Sequence, residues 1–208
     1  MNYSPLRNID IMHLYIDFKC PAAYLALHPT LALSEQLGVP ISWHPIRKYE
    51  SPLLPEKPEE EVSTRHRRVR AVARQKTHQL YAGVQNLPLQ FRNPPTDTDM
   101  ALAALCLLTE RGDNPLLFVR AAFAAYWTGD TDLNDAREVI ALLGAPAIAE
   151  DDRNGDGART RLEAALRKAE ENGIFTSPTY VVEDAVSEQV FVGREHLPWI
   201  RELLKSAK

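Results

Sequence analysis

Cysteine is scarce in this chain, which has two thiols, at positions 20 and 106, among 208 residues. Small secreted folds that cannot build a large core are held together by several disulfides, so this cysteine content excludes a disulfide-rich scaffold. We therefore expect each thiol to serve chemistry or packing in a reducing compartment.

Long apolar runs and an excess of basic residues are also missing. No segment approaches the roughly 20 apolar residues of a membrane-spanning helix, and residues 1–10 lack the apolar core of a secretion signal. The 24 Lys and Arg against 28 Asp and Glu give a net charge of −4, which disfavours nucleic acid and anionic membranes as partners. We expect a cytoplasmic protein whose partner is a small molecule or a thiol, and the sequence leaves a homodimer open.

The start of the chain has the pattern of a β-α-β unit. Residues 13–18 form an apolar run that predicts a buried strand, and residues 21–37 predict a helix that ends at Gly38. Residues 39–46 then predict a second strand, because β-branched and aromatic residues alternate there with polar ones.

The end of the chain has the pattern of a β-β-α unit, and the middle is helical. Residues 178–182 and 189–192 predict a hairpin, and residues 195–205 a final helix. Five further segments have the apolar spacing of helices: 59–81, 99–111, 115–127, 135–143 and 159–172. The fold class is therefore predicted to be α/β with a large all-helical insertion.

Cys20 is the candidate catalytic residue. Pro21 suits the first position of a helix, so Cys20 should lie where a strand turns into a helix. The unpaired N–H groups and the positive end of the helix dipole favour a thiolate there, which is the form that attacks disulfides and electrophiles. Ala23 stands where a C-x-x-C motif has its second cysteine, so a redox cycle must use another thiol. Cys106 lies in an apolar helical stripe and is expected to pack in the core.

Residues 152–163 match the spacing of a calcium-binding loop. Asp152, Asn154 and Asp156 are followed by Gly157, and Glu163 closes the pattern. Arg159 occupies a position where such loops prefer an apolar residue, and no second loop is present to pair with this one. We favour a turn that caps the next helix and assign no metal-binding residues, while calcium binding by this loop is left open.

Four motifs in this order resemble DsbA-like thioredoxin-fold proteins. They are residues 17–26, 125–127, 173–182 and 191–195. Within these proteins the chain is most similar to the branch that holds 2-hydroxychromene-2-carboxylate isomerases and kappa-class glutathione transferases. The resemblance implies a thioredoxin fold, β-α-β then β-β-α, with residues 1–58 and 173–208 as the thioredoxin-like domain and residues 59–172 as an inserted helical domain.

The resemblance also implies glutathione as a co-substrate and a set of site residues. The active-site Ser or Cys of these relatives corresponds to Cys20. Their cis-proline corresponds to Pro178, so that the backbone of Ser177 pairs with the cysteinyl part of glutathione. Arg194 and Glu195 correspond to the motif that receives the γ-glutamyl end.

Three functional hypotheses follow. The first is a glutathione-linked thiol-disulfide oxidoreductase that uses a single active-site cysteine, Cys20. The second is a glutathione-dependent isomerase or transferase, in which glutathione is the nucleophile and Cys20 steadies its thiolate. The third is a non-catalytic thioredoxin-fold module that holds a peptide or a thiol along the Ser177–Pro178 edge by strand addition.

Overall fold

A computed structural model of the chain describes residues 11–49, 52–55, 57, 59–143, 156–183 and 188–206. The strands are β1 (Met12–Ile16), β2 (Ile41–Pro45), β3 (Thr179–Glu183) and β4 (Glu188–Val192). The helices are α1 (Pro21–Leu37), α2 (Val62–Val84), α3 (Asp99–Glu110), α4 (Leu116–Thr128), α5 (Ala136–Leu143), α6 (Asp156–Glu171) and α7 (Leu197–Ser206). A 3₁₀ turn, Arg194–His196, precedes α7. Within these ranges no helix is long and apolar enough to cross a membrane.

The strands form one mixed sheet in the order β2-β1-β3-β4. β1 and β2 are parallel, whereas β3 is antiparallel to both of its neighbours. Leu14 of β1 lies opposite Trp43 of β2 and Tyr180 of β3. Because parallel strands end at the same edge of a sheet, the residues that follow Ile16 and Pro45 meet there.

Helix α1 begins and ends at residues suited to those places. Pro21 occupies its first turn, where the missing N–H of proline leaves no helical bond unmade. Gly38 ends it in the left-handed conformation with φ 61°, and its N–H donates to the carbonyl of Glu35. The predicted bounds of this helix, 21–37, are confirmed.

The helical segment between β2 and β3 shares a core with the sheet. Phe18, at the end of β1, packs edge-on against Phe118 and Phe123 of α4, with ring centroids 5.8 and 5.1 Å away. Tyr24 of α1 stacks on Trp127, one turn further along α4. The helices therefore lie directly over the junction of β1 and α1.

Helix α2 is the exception to this packing. All 23 of its residues are described, and Ala82 near its end is the one that is buried. Just beyond the helix, the side-chain amide of Gln85 donates to the carbonyl of Leu25 in α1 at 3.3 Å. The body of α2 is therefore mostly exposed.

The predicted order of elements is confirmed, with small shifts at their ends. The structure is α/β, with a β-α-β opening, a helical middle and a β-β-α closing. The division into domains at residues 1–58, 59–172 and 173–208 stays a prediction. In the calcium-like pattern, residues 152–155 lie outside the described part of the chain, and Asp156 and Glu163 are in α6.

Candidate active site

Cys20 lies at the mouth of α1, as the sequence predicts. Its backbone is extended, with φ −84° and ψ 112°, and it is the residue directly before the first helical turn. Its N–H donates to the carbonyl of Asp17 at 3.0 Å, and its own carbonyl accepts the N–H of Tyr24 at 3.1 Å. The side chain is buried. The position gives the sulfur the positive end of the helix dipole.

Two groups of opposite character contact the sulfur of Cys20. The Sγ atom lies 3.1 Å from the carbonyl oxygen of Ser177, which can only accept a hydrogen bond. The Nζ atom of Lys48 lies 3.4 Å from the same sulfur and can only donate. The carbonyl therefore suits the thiol and the ammonium suits the thiolate, so the site has a partner for each protonation state.

The Ser177–Pro178 segment forms one wall of the site. The peptide bond between these two residues is cis. The hydroxyl of Ser177 accepts the N–H of Asp17 at 2.9 Å, which joins this segment to the end of β1. The carbonyl of Pro178 accepts the N–H of Gly193 at 2.9 Å. The structure thus brings Cys20, Ser177 and Pro178 together.

Arg194 and Glu195 lie on the 3₁₀ turn that follows Gly193. The guanidinium of Arg194 stacks over the ring of Tyr81 in α2, 3.8 Å from its centroid. The carboxylate of Glu195 folds back against Gly193, into space that a Cβ atom at that position would need. Both residues are linked to the Ser177–Pro178 wall through the backbone of Gly193.

A buried carboxylate, Asp17, lies beneath the site, although sequence reasoning assigned it no role. Its Oδ1 atom accepts the hydroxyl of Thr98 at 2.7 Å and the N–H of Lys19 at 3.2 Å, and its Oδ2 atom accepts the N–H of Lys48 at 2.7 Å. The Lys19 ammonium lies 3.8 Å away. Burial raises the pKa of Asp17, while the charge of Lys19 opposes that rise.

A cleft of about 220 Å³ opens beside the thiol. It is lined by Lys19, Arg47, Lys48, Tyr49, Pro95 and Asp97. The Lys19 ammonium bonds to Asp97 at 3.2 Å, and the Arg47 guanidinium bonds to Asp99 and Glu163 at 2.8 and 2.9 Å. Acidic partners therefore neutralise these two cations, and the charge of the cleft does not by itself select an anion.

Cys106 lies in the core, as predicted. It is on the buried face of α3, and burial raises the pKa of its thiol to about 12. No group of three or more His, Cys, Asp or Glu side chains suited to a metal ion occurs in the described part of the chain.

Lys48 is the contact of the thiol that sequence reasoning missed. It follows β2, and Cys20 follows β1, so the two residues emerge at the same edge of the parallel pair. That topology was predicted by the β-α-β pattern. Polar residues directly after both strands were therefore the signal for this pair.

The family model of the DSBA-like thioredoxin domain matches residues 11–205. No curated protein sequence matches the chain.

Three solved structures are similar over nearly the whole chain. A candidate protein disulfide isomerase from Nitrosomonas europaea has a TM-score of 0.65 at 15% identity, covering 93% of this chain and 96% of its own. A 2-hydroxychromene-2-carboxylate isomerase has a TM-score of 0.60 at 16% identity, covering 94% of both chains. The cytosolic disulfide reductase DsbM from Pseudomonas aeruginosa has a TM-score of 0.58 at 17% identity, covering 94% and 97%, and a second DsbM structure contains GSH.

Proposed function

Because the chain belongs to the DSBA-like thioredoxin domain family, whose members are oxidoreductases or isomerases, we propose that it is a glutathione-linked thiol-disulfide oxidoreductase with Cys20 as its single active-site cysteine. The family accounts for its thioredoxin-like α/β fold. Family membership does not determine the choice of thiol-disulfide chemistry or the role of glutathione, and these two points are what we propose.

The contact that supports this proposal most is the one between Lys48 and Cys20. An ammonium 3.4 Å from a sulfur at a helix N-terminus stabilises the thiolate twice, by its own charge and by the helix dipole. The thiolate is the nucleophile in disulfide exchange. A cysteine kept only for packing has no need of either group.

The second thiol of the cycle comes from solution. Ala23 cannot supply it, and the thiol of Cys106 is buried with its pKa raised to about 12. At neutral pH the thiolate fraction of such a group is on the order of 10⁻⁵. Glutathione, which is abundant in a reducing cytoplasm, fills the role, as the GSH-containing structure of the similar reductase DsbM suggests.

The cycle then balances in two exchanges. The Cys20 thiolate attacks the glutathione sulfur of a mixed disulfide, a new S–S bond forms, and the other half leaves as a thiolate. The thiolate of a second glutathione attacks the glutathione sulfur now bound to Cys20. Oxidised glutathione leaves, Cys20 returns to the thiolate, and the proton of the second glutathione passes to the departed thiolate, which becomes a thiol.

Glutathione is expected to lie along the wall formed by Ser177 and Pro178. Its cysteinyl backbone would pair with the main chain of Ser177, next to the sulfur of Cys20. Its γ-glutamyl end carries an ammonium and a carboxylate, which match the opposite charges of Glu195 and Arg194. The family resemblance and the bond between Gly193 and Pro178 support this placement.

The burial of Cys20 favours a second candidate function. The sulfur is fully covered, so a bulky disulfide can reach it only after a neighbouring group moves. In a glutathione-dependent isomerase or transferase the nucleophile is the sulfur of glutathione. Cys20 and Lys48 then need only stabilise the glutathione thiolate. One of the similar structures is an isomerase, the 2-hydroxychromene-2-carboxylate isomerase.

Cys20→Ser separates the two functions. Reduction of a glutathione mixed disulfide is followed with glutathione, glutathione reductase and NADPH, and conjugation with glutathione and an aromatic electrophile. The oxidoreductase proposal predicts that Cys20→Ser loses at least a hundredfold in disulfide reduction, because the mixed disulfide cannot form, while Cys106→Ala is unchanged. Retained reduction in Cys20→Ser refutes it, and retained conjugation alone supports the second function. Binding of glutathione without turnover of either substrate supports a binding module.

A further inference from the structure

Asp17 contacts three chain segments that lie beside the sulfur of Cys20. Its carbonyl accepts the N–H of Cys20, and its N–H donates to the hydroxyl of Ser177 at 2.9 Å. Its carboxylate accepts the N–H of Lys48 at 2.7 Å. One buried residue therefore bonds to the backbone of Cys20, to the hydroxyl of Ser177 and to the backbone of Lys48. The carbonyl of Ser177 accepts the hydrogen bond of the thiol, and the ammonium of Lys48 contacts the sulfur.

We propose that Asp17 is a positioning residue, which holds the backbone of Lys48 so that its ammonium stays on the sulfur of Cys20 and increases the thiolate fraction. This inference rests on the proposed function, since it concerns the same thiol. It assigns to Asp17 no contact with substrate.

The location of Lys48 explains why a holding group is needed. Lys48 lies beyond the last residue of β2, so the ladder between β1 and β2, which pairs Ile16 with Pro45, does not include it. A lysine side chain has four rotatable bonds and loses substantial entropy when its head is fixed. Fixing the main chain at Lys48 with a short, charge-assisted bond reduces the number of positions that the ammonium can occupy.

The remaining bonds of Asp17 keep the carboxylate itself in place. Thr98 and the N–H of Lys19 donate to Oδ1, which leaves Oδ2 directed at Lys48. The other charged or titratable groups around it are the Lys19 ammonium, Asp97, which pairs with Lys19, and the hydroxyl of Tyr126 in α4. The carboxylate is thus oriented from the side opposite Lys48.

The direction in which Asp17→Asn changes the reactivity of Cys20 distinguishes positioning from a simple charge effect. The charge of Asp17 disfavours a thiolate nearby, so if charge alone mattered, Asp17→Asn would make Cys20 more reactive. If Asp17 holds Lys48, the amide weakens the bond to the Lys48 N–H, the ammonium leaves the sulfur more often, and Cys20 becomes less reactive. The two models predict opposite changes.

The experiment is the rate of iodoacetamide alkylation of Cys20 from pH 5 to 10, in four proteins in a Cys106→Ala background. These are the unsubstituted background, Asp17→Asn, Lys48→Met and the double variant. We expect the rate at pH 7 to fall about tenfold in Lys48→Met and about threefold in Asp17→Asn, with the midpoint of the pH profile moving upward in both. In the double variant Asp17→Asn should add nothing, because its effect passes through Lys48.

Thr98→Val is the matched control. It removes the hydrogen bond from the Thr98 hydroxyl to Oδ1 of Asp17, which is 2.7 Å long like the bond from Lys48 to Oδ2. The substitution leaves the bond to Lys48 in place. It should move the midpoint much less than Asp17→Asn. An unchanged or lower midpoint in Asp17→Asn, or an equal effect with and without Lys48, overturns the inference.

A measurement on the unsubstituted protein covers the case in which Asp17→Asn does not fold. The N–H of Lys48 should be protected from exchange with solvent, since the carboxylate binds it outside the β1–β2 ladder. An unprotected N–H contradicts the inference. The proposed function fails separately: a midpoint for unsubstituted Cys20 at or above the roughly 8.5 of a free thiol removes the activated nucleophile, whatever Asp17→Asn does.

Discussion

The two cysteines of this chain are almost equally buried, with 0% and 3% of their surfaces exposed, yet their surroundings differ in every other respect. Cys20 lies at a helix mouth between an ammonium and a carbonyl. Cys106 lies inside α3 among apolar side chains, and its pKa is raised to about 12. Burial alone therefore does not decide what a thiol can do.

The difference shows which groups oppose the effect of burial. Removal from water favours the neutral form of any acid or base. At Cys20 the N-terminal dipole of α1 and the ammonium of Lys48 act against that effect. At Cys106 the carboxylate of Glu110 adds to it and outweighs the opposing charge of Arg161. A place at the end of a helix, with a cation in contact with the sulfur, therefore favours the thiolate of a buried cysteine.

The largest expected effect is the contrast in labelling between the two thiols. In the native protein at pH 7, iodoacetamide should modify Cys20 and leave Cys106 intact, as mass spectrometry of the digested protein would show. Cys20→Ala should abolish labelling, and Cys106→Ala should leave its rate unchanged. In denaturant both thiols should react alike. Comparable labelling of Cys106 in the native protein would remove the contrast.

A half-buried histidine close to two other basic residues gives the next effect. His44 contacts Nδ1 of His13 at 2.9 Å and the hydroxyl of Ser42 at 3.0 Å, and it stacks on Tyr15. Burial, with the nearby His13 and Lys168, lowers the pKa of His44 from 6.5 to about 4. Between these values the unfolded chain binds more protons, so stability falls as the pH falls from about 6.5 to 4, by about 3 kcal/mol at most.

His44→Gln tests this expectation by urea denaturation at pH 7 and pH 4.5. The variant should lose less of its free energy of unfolding on acidification than the unsubstituted protein. Equal losses in the two proteins would mean that protonation of His44 is not linked to unfolding.

The smallest effect concerns Cys106 in alkali. Its pKa is raised from 9.0 to about 12, so between these values the folded protein keeps a proton that the unfolded chain loses. Stability should therefore fall as the pH rises above 9, by about 1.4 kcal/mol for each pH unit. Urea denaturation at pH 7 and pH 10 should show a smaller alkaline loss in Cys106→Ala. The buried tyrosines add an alkaline loss of their own, which is common to both proteins and cancels.

Most of the fold could be predicted because its elements carry local signals. Pro21 and Gly38 mark the two ends of α1, and alternating residues mark β2 and β4. The order of the strands in the sheet has no such signal. It depends on which surfaces pack against the helical segment, which is a property of the whole chain.

The candidate site was predictable in part for the same reason. Cys20 could be found because the adjacent proline marks a helix start, whereas Ser177, Pro178, Arg194 and Glu195 were found by resemblance. Lys48 and Asp17 were not predicted from the sequence, because their proposed roles depend on contacts between residues distant in sequence. The stacking of Arg194 on Tyr81 is likewise a tertiary contact that no local pattern marks.

The exposure of helix α2 has a consequence for local unfolding of the protein. With Ala82 as its one buried residue, all of α2 being described, it gains little apolar burial from the rest of the protein, although it is about 34 Å long at 1.5 Å per residue. Tyr81 contacts Arg194 and, just beyond the helix, Gln85 contacts Leu25, whereas Arg68 near the start pairs with Glu60, which precedes the helix. We therefore expect the amide protons in the first turns of α2 to exchange with solvent faster than those of the core around Cys20.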